Sequence, residues 1–283
     1  AMAILMLGGS LGMMLGFVGG GLIAEAYNWR IALISVGAPG LLLAVVMARL
    51  LQEPARGTFE TKTPPPPPPI LTSAATMWAN PAMRHLVAGS VVAGLLSYGF
   101  TQWLPTFFIR AHDLSQSQTG MLMAGVFGIP GSIGALAFAK WFDRLSHRGF
   151  QHGIWMLAVV PFVTLPFFIA GLLADNLVTT IVLFIIPGFA ANYVIGPTLA
   201  MVQTLSPVQM RAVSSAILML CLNLIGMGLG PLLVGLLSDL LTPYHGDSAL
   251  GVALAYFTLA GLWGSVHFWL CGRALAKQQS ENT

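Results

Sequence analysis

Charge is what this 283-residue chain has least of: 7% of its residues are Asp, Glu, Lys or Arg, against about 25% in soluble domains. Nine acids and twelve bases cannot cover the outside of a water-soluble fold of this length, so lipid has to cover it. Cysteine is almost missing too. Cys221 and Cys271 each lie in an apolar run, which excludes a disulfide framework and metal-ligand spacing and leaves them as small packing residues. None of the three lysines follows a glycine and no H-E-x-x-H occurs, which removes a Walker A phosphate loop and that zinc motif. The opening Ala1-Met2-Ala3-Ile4-Leu5 has no basic n-region, so the first apolar run is expected to be a true span rather than a signal peptide. A chain that starts so abruptly is expected to be a fragment with earlier spans missing. No acid or base falls near the middle of any apolar run, which argues against a membrane-embedded enzyme and leaves no catalytic residue to nominate.

What the chain does have is apolar length: 56% hydrophobic residues and a mean hydropathy of +0.82. Crossing a core of about 30 Å takes roughly 20 helical residues. Runs of that kind are expected at residues 4–24, 31–50, 86–108, 120–142, 154–174, 178–203, 212–240 and 250–271, an all-α, multi-pass bundle of eight spans. If the spans alternate, Arg49, Arg56, Lys62, Arg84, Lys140, Arg144, Arg148, Arg211, Arg273 and Lys277 share one side, with only Arg30 and Arg110 on the other. By the positive-inside rule the first side is the cytoplasm, which places the C-terminus there. The net charge of +3 and pI near 9.1 thus reflect membrane orientation, and no nucleic-acid partner is expected.

Residues 52–83 form the one long connection and carry six consecutive prolines, Pro64 to Pro69, an extended polyproline II spacer between two bundles. Beyond it Thr72 or Ser73 can cap a short helix through Ala79, stopped at Asn80-Pro81. With Trp78 on it, that helix is expected at the membrane interface; a disordered loop is the other reading.

A glycine pattern recurs inside two spans. Gly226, Gly230, Gly235 and Asp239 correspond in spacing to Gly12, Gly16, Gly21 and Glu25, with Pro231 matched by Phe17. Such glycines clear one helix face for close backbone contact, either as passive packing or as a moving face, and Pro231 adds a kink or the loss of one backbone bond. The string Gly8-Gly9-Ser10-Leu11-Gly12 matches G-x-S-x-G, but that motif needs a strand, a strained turn and a helix, so inside a span it is a chance match. On span three Tyr98, Thr101, Gln102 and Pro105 share one helical face. Asn192 and Tyr193 in span six and Asn223 in span seven are the other polar groups; a lone amide can equally be an interhelical hydrogen bond.

With these parts assembled, the chain resembles the major facilitator superfamily, two six-helix bundles related by duplication. That family's fifth-span motif is met by Gly12, Gly16, Gly20 and Gly21, with Phe17 in place of proline; its eleventh-span counterpart by Gly226, Gly230, Pro231 and Gly235, with Val234 for the first paired glycine. Its cytoplasmic loop motif is echoed by Asp143, Arg144 and Arg148, with Ala139, Ser146 and His147 departing. Asn28-Trp29-Arg30, Glu53-Pro54-Ala55-Arg56-Gly57, Trp78-Ala79-Asn80-Pro81, Tyr98, Trp103-Leu104-Pro105 and Gly120 look like its spinster-like branch, associated with lysolipid or sphingolipid export.

The resemblance implies that residues 1–51 are the last two spans of the first bundle, 52–83 the central linker, and 84–283 the second bundle and tail: eight of twelve spans. It implies a secondary transporter, a monomer when complete, that moves a small or amphipathic organic solute or lipid across the cell membrane by rocking one bundle on the other. Tyr98, Gln102, Asn192, Tyr193 and Asn223 are then the cavity residues, and Gly12, Gly16, Gly21, Gly226, Gly230, Pro231 and Gly235 the packing or rocking faces. Asp143, with Arg144 and Arg148, becomes a cytoplasmic gate, its carboxylate meeting the positive N-terminal end of span one. No cofactor is expected beyond a coupling proton or ion gradient, and membrane lipid is the remaining partner. An organic-anion symporter of the same superfamily and a non-transporting scaffold or receptor stay open as alternatives.

Overall fold

In hydrocarbon every backbone N–H and C=O must be satisfied within its own segment, and a helix does this. A computed structural model describes residues 2–51 and 68–281, with side chains from 12 onward except 13, and among them are helices and turns but no strand. The first hairpin is α1 (Met2–Ala26) and α2 (Trp29–Leu50). Asn28 makes the corner: its side-chain oxygen accepts from the backbone N–H of Arg30 (3.0 Å) and of Ile31 (3.1 Å), capping α2. Pro64 to Pro67 of the expected spacer lie outside the described residues. Pro69 is extended (φ −51°, ψ 147°) and itself starts α3 (Ile70–Ala79) without a side-chain cap, so neither Thr72 nor Ser73 caps that helix. Asn80 then ends α3 and caps α4 (Pro81–His112) by accepting from Ala82 N and Met83 N.

Five more passes complete the fold among the described residues. The fourth expected span is α5 (Gln116–Met123), a π turn at Ala124–Gly128 and α6 (Ile129–Ser146); the fifth is α7 (Phe150–Leu172). The sixth, expected to be continuous over 178–203, is instead broken into α8 (Leu177–Phe189) and α9 (Ile195–Leu205). The seventh is α10 (Arg211–Cys221), a π turn at Leu222–Met227 and α11 (Gly228–His245), and the last is α12 (Ala249–Thr258) with α13 (Ala260–Glu281). Trp29–Leu50, Gln116–Ser146, Phe150–Leu172 and the stretch Val208–Glu281, which folds back on itself at Gly246, are each long and apolar enough to cross a membrane.

Both π turns have the same cause. A proline ring presses on the carbonyl four residues earlier and offers no N–H to it. Pro130 follows Val126 and Pro231 follows Met227 by that interval, and each carbonyl sits in a widened turn that tolerates the mismatch.

Chain reversals divide into two ends. Asn28, Ser115, Asn176 and Gly246 turn the chain at one end; Gly149 and Pro207 turn it at the other, together with α3 and the tail of α13. The second end carries Arg84, Lys140, Arg144, Arg148, Arg211, Arg273 and Lys277, and is the basic end. Each end holds its own core. Met83, Leu86, Ile154, Met201, Leu218 and Phe268 pack near the basic end, and Leu104, Phe108, Leu172, Phe184 and Leu254 near the opposite end. The middle is left for a cavity.

Candidate functional site: a cavity at a broken helix

The break between α8 and α9 has a local reason. Pro197 cannot bond to the carbonyl of Tyr193, so the helix cannot run through that point. It restarts at Ile195, where Pro197 falls in the first turn and its missing N–H costs nothing. Residues 190–194 are turns, and they include Asn192 and Tyr193. Irregular backbone at membrane depth is tolerated where it is buried in protein or lines a cavity, and this segment does both. Val126 O lies where a Cβ on Gly188 would fall, and Phe189 O where one on Gly134 would fall, so α8 sits backbone to backbone on α6 and its π turn.

A cavity of about 230 Å³ lies against the break, walled by Tyr98 and Thr101 of α4, Asn192 and Tyr193 of the break, and Asn223 of the second π turn. The Tyr98 hydroxyl donates to Asn223 Oδ1 at 2.8 Å, and Asn223 Nδ2 donates to Met219 O at 2.7 Å. Two further hollows adjoin it and share Ser97 and Ala191 with it. One runs between Phe100, Leu165 and Phe168; the other is closed by Phe17 of α1 and Phe127. No charged side chain lines any of the three among the described residues. The site therefore offers one hydrogen-bonding wall and aromatic recesses, which suits a solute with a polar part and an apolar part.

The expected cavity residues divide. Tyr98, Asn192, Tyr193 and Asn223 come together on this one wall. Gln102 does not: it is exposed and absent from the lining, because Thr101, one residue and about 100° earlier on α4, takes the inward direction. Ser97 and Thr198, unmarked in the sequence, also face the cavity. Their signal is weak, since a serine or threonine in a span can bond to the carbonyl one turn back, as Thr198 does with Val194 O at 2.9 Å.

The two glycine stretches are used differently. Gly226, Gly230 and Gly235 face α4: a Cβ on Gly226 would lie 3.0 Å from the Gly94 carbonyl carbon, one on Gly230 would strike Leu95 O, and one on Gly235 would lie 3.1 Å from the Trp103 ring. Trp103 Nε1 also donates to the Pro231 carbonyl at 2.8 Å, which fixes the two helices in register. In α1, a Cβ on Gly12 or Gly16 would meet nothing within 4 Å among the described residues, whereas one on Gly21 would lie 2.8 Å from Gln116 O. A Cβ on Gly120 of α5 would in turn strike Phe17 O. At the end of this seam Glu25 Oε2 accepts from Ser115 Oγ and from Ser117 N, both at 2.8 Å. Sequence reasoning missed this contact. Ser115 and Gln118 spell a capping box, which the structure forms, but nothing local ties Glu25 to residues 90 positions away.

Asp143, Arg144 and Arg148 lie together at the basic end, on the last turn of α6 and the reversal after it. All three are exposed, and the described residues give Asp143 no ion pair; the one within 4 Å joins Lys277 to Glu281.

The fold is that of a polytopic helical membrane protein with an uncharged cavity between its two cores. A model described as the Major Facilitator Superfamily matches residues 1–231. The chain belongs to that superfamily, and with it to integral, non-enzymatic membrane proteins. It is 29% identical over 259 residues to an "MFS-type efflux pump" of Mycolicibacterium smegmatis, a match covering 89% of this chain and 58% of that protein. A "Probable sugar efflux transporter" of Helicobacter acinonychis is 28% identical over 146 residues, 51% of this chain and 34% of that protein. Among solved structures, a bacterial homolog of the human lysosomal transporter Spinster, inward-facing and unoccupied, superposes with a TM-score of 0.70 at 20% identity, covering 95% of this chain and 65% of that one. The occupied, inward-facing form gives 0.68 at 18%, covering 94% and 67%. The chain thus spans about three fifths of the longer proteins it matches along most of its length.

Proposed function

We propose that the protein containing this chain moves a small or amphipathic organic solute or lipid across a membrane by alternating access. The observation that carries this reading is the uncharged cavity of about 230 Å³ at the α8–α9 break, hydrogen-bonded between Tyr98 and Asn223, with aromatic recesses beside it. Discontinuous helices at mid-membrane are where transporters hold their substrates. The relatives' names, an efflux pump and a probable sugar efflux transporter, support transport and favour export.

In this reading residues 1–51 and 84–283 belong to two bundles joined by the linker 52–83, and the protein works as a monomer. The basic end faces the cytoplasm of the cell membrane by the positive-inside rule, which puts the C-terminus inside. A coupling proton or ion needs a group outside the described cavity walls, because they carry no carboxylate.

Flux into proteoliposomes of the full-length protein tests the reading, with a fluorescent lysophospholipid, a neutral sugar and an organic anion as probes. Tyr98→Phe and Asn223→Ala each remove one partner of the wall's hydrogen bond. They are expected to lower flux of the accepted probe about two- to tenfold at unchanged protein content, the range of a single hydrogen bond. Flux no faster than protein-free vesicles for all three probes points to a scaffold or receptor. Acceptance of the anion alone points to an organic-anion symporter.

A further inference from the structure

The seam between α1 and α5 is antiparallel and tight where it nears the end opposite the basic one. Glu25 meets Ser117 there, Gly21 meets Gln116, and Phe17 meets Gly120, the three α1 residues lying one helical turn apart. Nearer the middle, Met14 touches Gly128 at ordinary distance, 3.6 Å from where a Cβ would stand. Glu25 is the acid of this seam and the N-terminus of α5 is its partner. The helix dipole favours a carboxylate at that place, and a charged acceptor makes the stronger hydrogen bond.

We propose that Glu25 and the first turn of α5 form a charge latch that holds the end opposite the basic one closed, with Phe17 as the plug it keeps over the cavity. Phe17 lies eight residues before Glu25 on the same helix, about 12 Å along its axis, and its ring closes one recess of the cavity. Parting α1 from α5 at Glu25 therefore also withdraws Phe17. The latch deepens the alternating-access reading and presupposes it: the two helices belong to the two bundles that must separate.

The Ser117 side chain, which pairs with the Ser115 hydroxyl at 3.1 Å, and then the Ser117 N–H and the Ser115 hydroxyl hold Glu25 below the usual glutamate range. The contact is therefore intact above the ordinary glutamate value, about 4.3, and is lost only as pH falls below that, through the lowered value. Charged and titratable groups on the adjoining segments are Tyr27 and Arg30 beyond α1, and Arg110, His112 and Asp113 before α5. Arg30 lies over the Trp29 ring and His112 beside Thr180, and none of the five makes an ion pair with Glu25.

The test measures opening directly, without a solute. Spin labels at Tyr27→Cys and Leu173→Cys, both exposed at this end, are placed in the full-length protein with its native cysteines replaced, and distances are read at pH 5.5 and 8. The parent is expected to show the same short-distance majority at both. Glu25→Gln, which keeps an acceptor and removes the charge, is expected to raise the open population about two- to fivefold, and Ser115→Ala by a smaller factor. Thermal melts of both variants confirm folding, and Ser115→Ala stands alone if Glu25→Gln does not fold. An open population unchanged from the parent in the folded variants overturns the latch, as does a parent that opens between pH 8 and 5.5 through Glu25. A protein that opens in Glu25→Gln yet moves no probe in vesicles keeps the latch and loses the transport reading.

Discussion

Gly228 and Gly230 stand two residues apart on α11 and predict opposite outcomes. A Cβ on Gly230 would strike the Leu95 carbonyl, a backbone atom that cannot rotate away, while one on Gly228 meets nothing within 4 Å among the described residues. Gly230→Ala is expected to lower stability by about 1–3 kcal/mol, the cost of forcing atoms into a filled contact. Gly228→Ala should leave it unchanged or raise it by up to about 1 kcal/mol through helix propensity. Thermal unfolding of the two variants in one detergent decides it. At this scale the sequence was partly readable. A polar residue inside an apolar span is conspicuous, which is why Tyr98, Asn192, Tyr193 and Asn223 could be picked out. Direction is harder: Thr101 and Gln102 are equally polar neighbours, and only the packing of α4 decides that Thr101 faces inward.

Among elements, the helix ends carry what is titratable outside the spans. His112 closes α4, and its Nε2 lies 3.3 Å from the Thr180 hydroxyl of α8. Partial burial lowers its pKa from the ordinary histidine value. A lowered value means the folded state binds this proton less readily than the unfolded one. Stability is thus full above about 6.5 and falls as pH drops from there through the lowered folded value. The melting temperature is expected to fall between pH 7.5 and 5.5, and His112→Gln should flatten that slope; an unaltered slope rules His112 out as its source. Element boundaries were legible where charge or a cap marks them, as at Asn28 and Asn80. The α8–α9 break was not, because 178–203 is apolar on average despite Asn192 and Tyr193, and hydropathy cannot distinguish one long helix from two short ones. Pro197 was the available sign, readable as a break only once it is seen to deprive the Tyr193 carbonyl of its partner.

For the whole molecule, the question is whether α1 and α5 must part in the proposed transport cycle. Glu25→Cys with Ser117→Cys places two thiols across the seam where the carboxylate now meets the backbone. Oxidation in the full-length protein is expected to abolish flux and a reducing agent to restore it, whereas full flux from a cross-linked protein shows that the seam can stay shut. The architecture itself was the most legible property of all. Scarce charge demanded lipid, and the bias of Lys and Arg to alternate loops set the span count. The contact of Glu25 with Ser115 and Ser117 was illegible because residues some 90 positions apart meet only in the fold. The uncharged cavity has an electrical consequence. A membrane potential acts on charge, at about 2.3 kcal/mol per elementary charge for each 100 mV crossed. The walls at Tyr98, Thr101, Asn192, Tyr193 and Asn223 give the field nothing to pull on. On the proposed transport reading, voltage acts through this part of the molecule only on the charge of the solute itself.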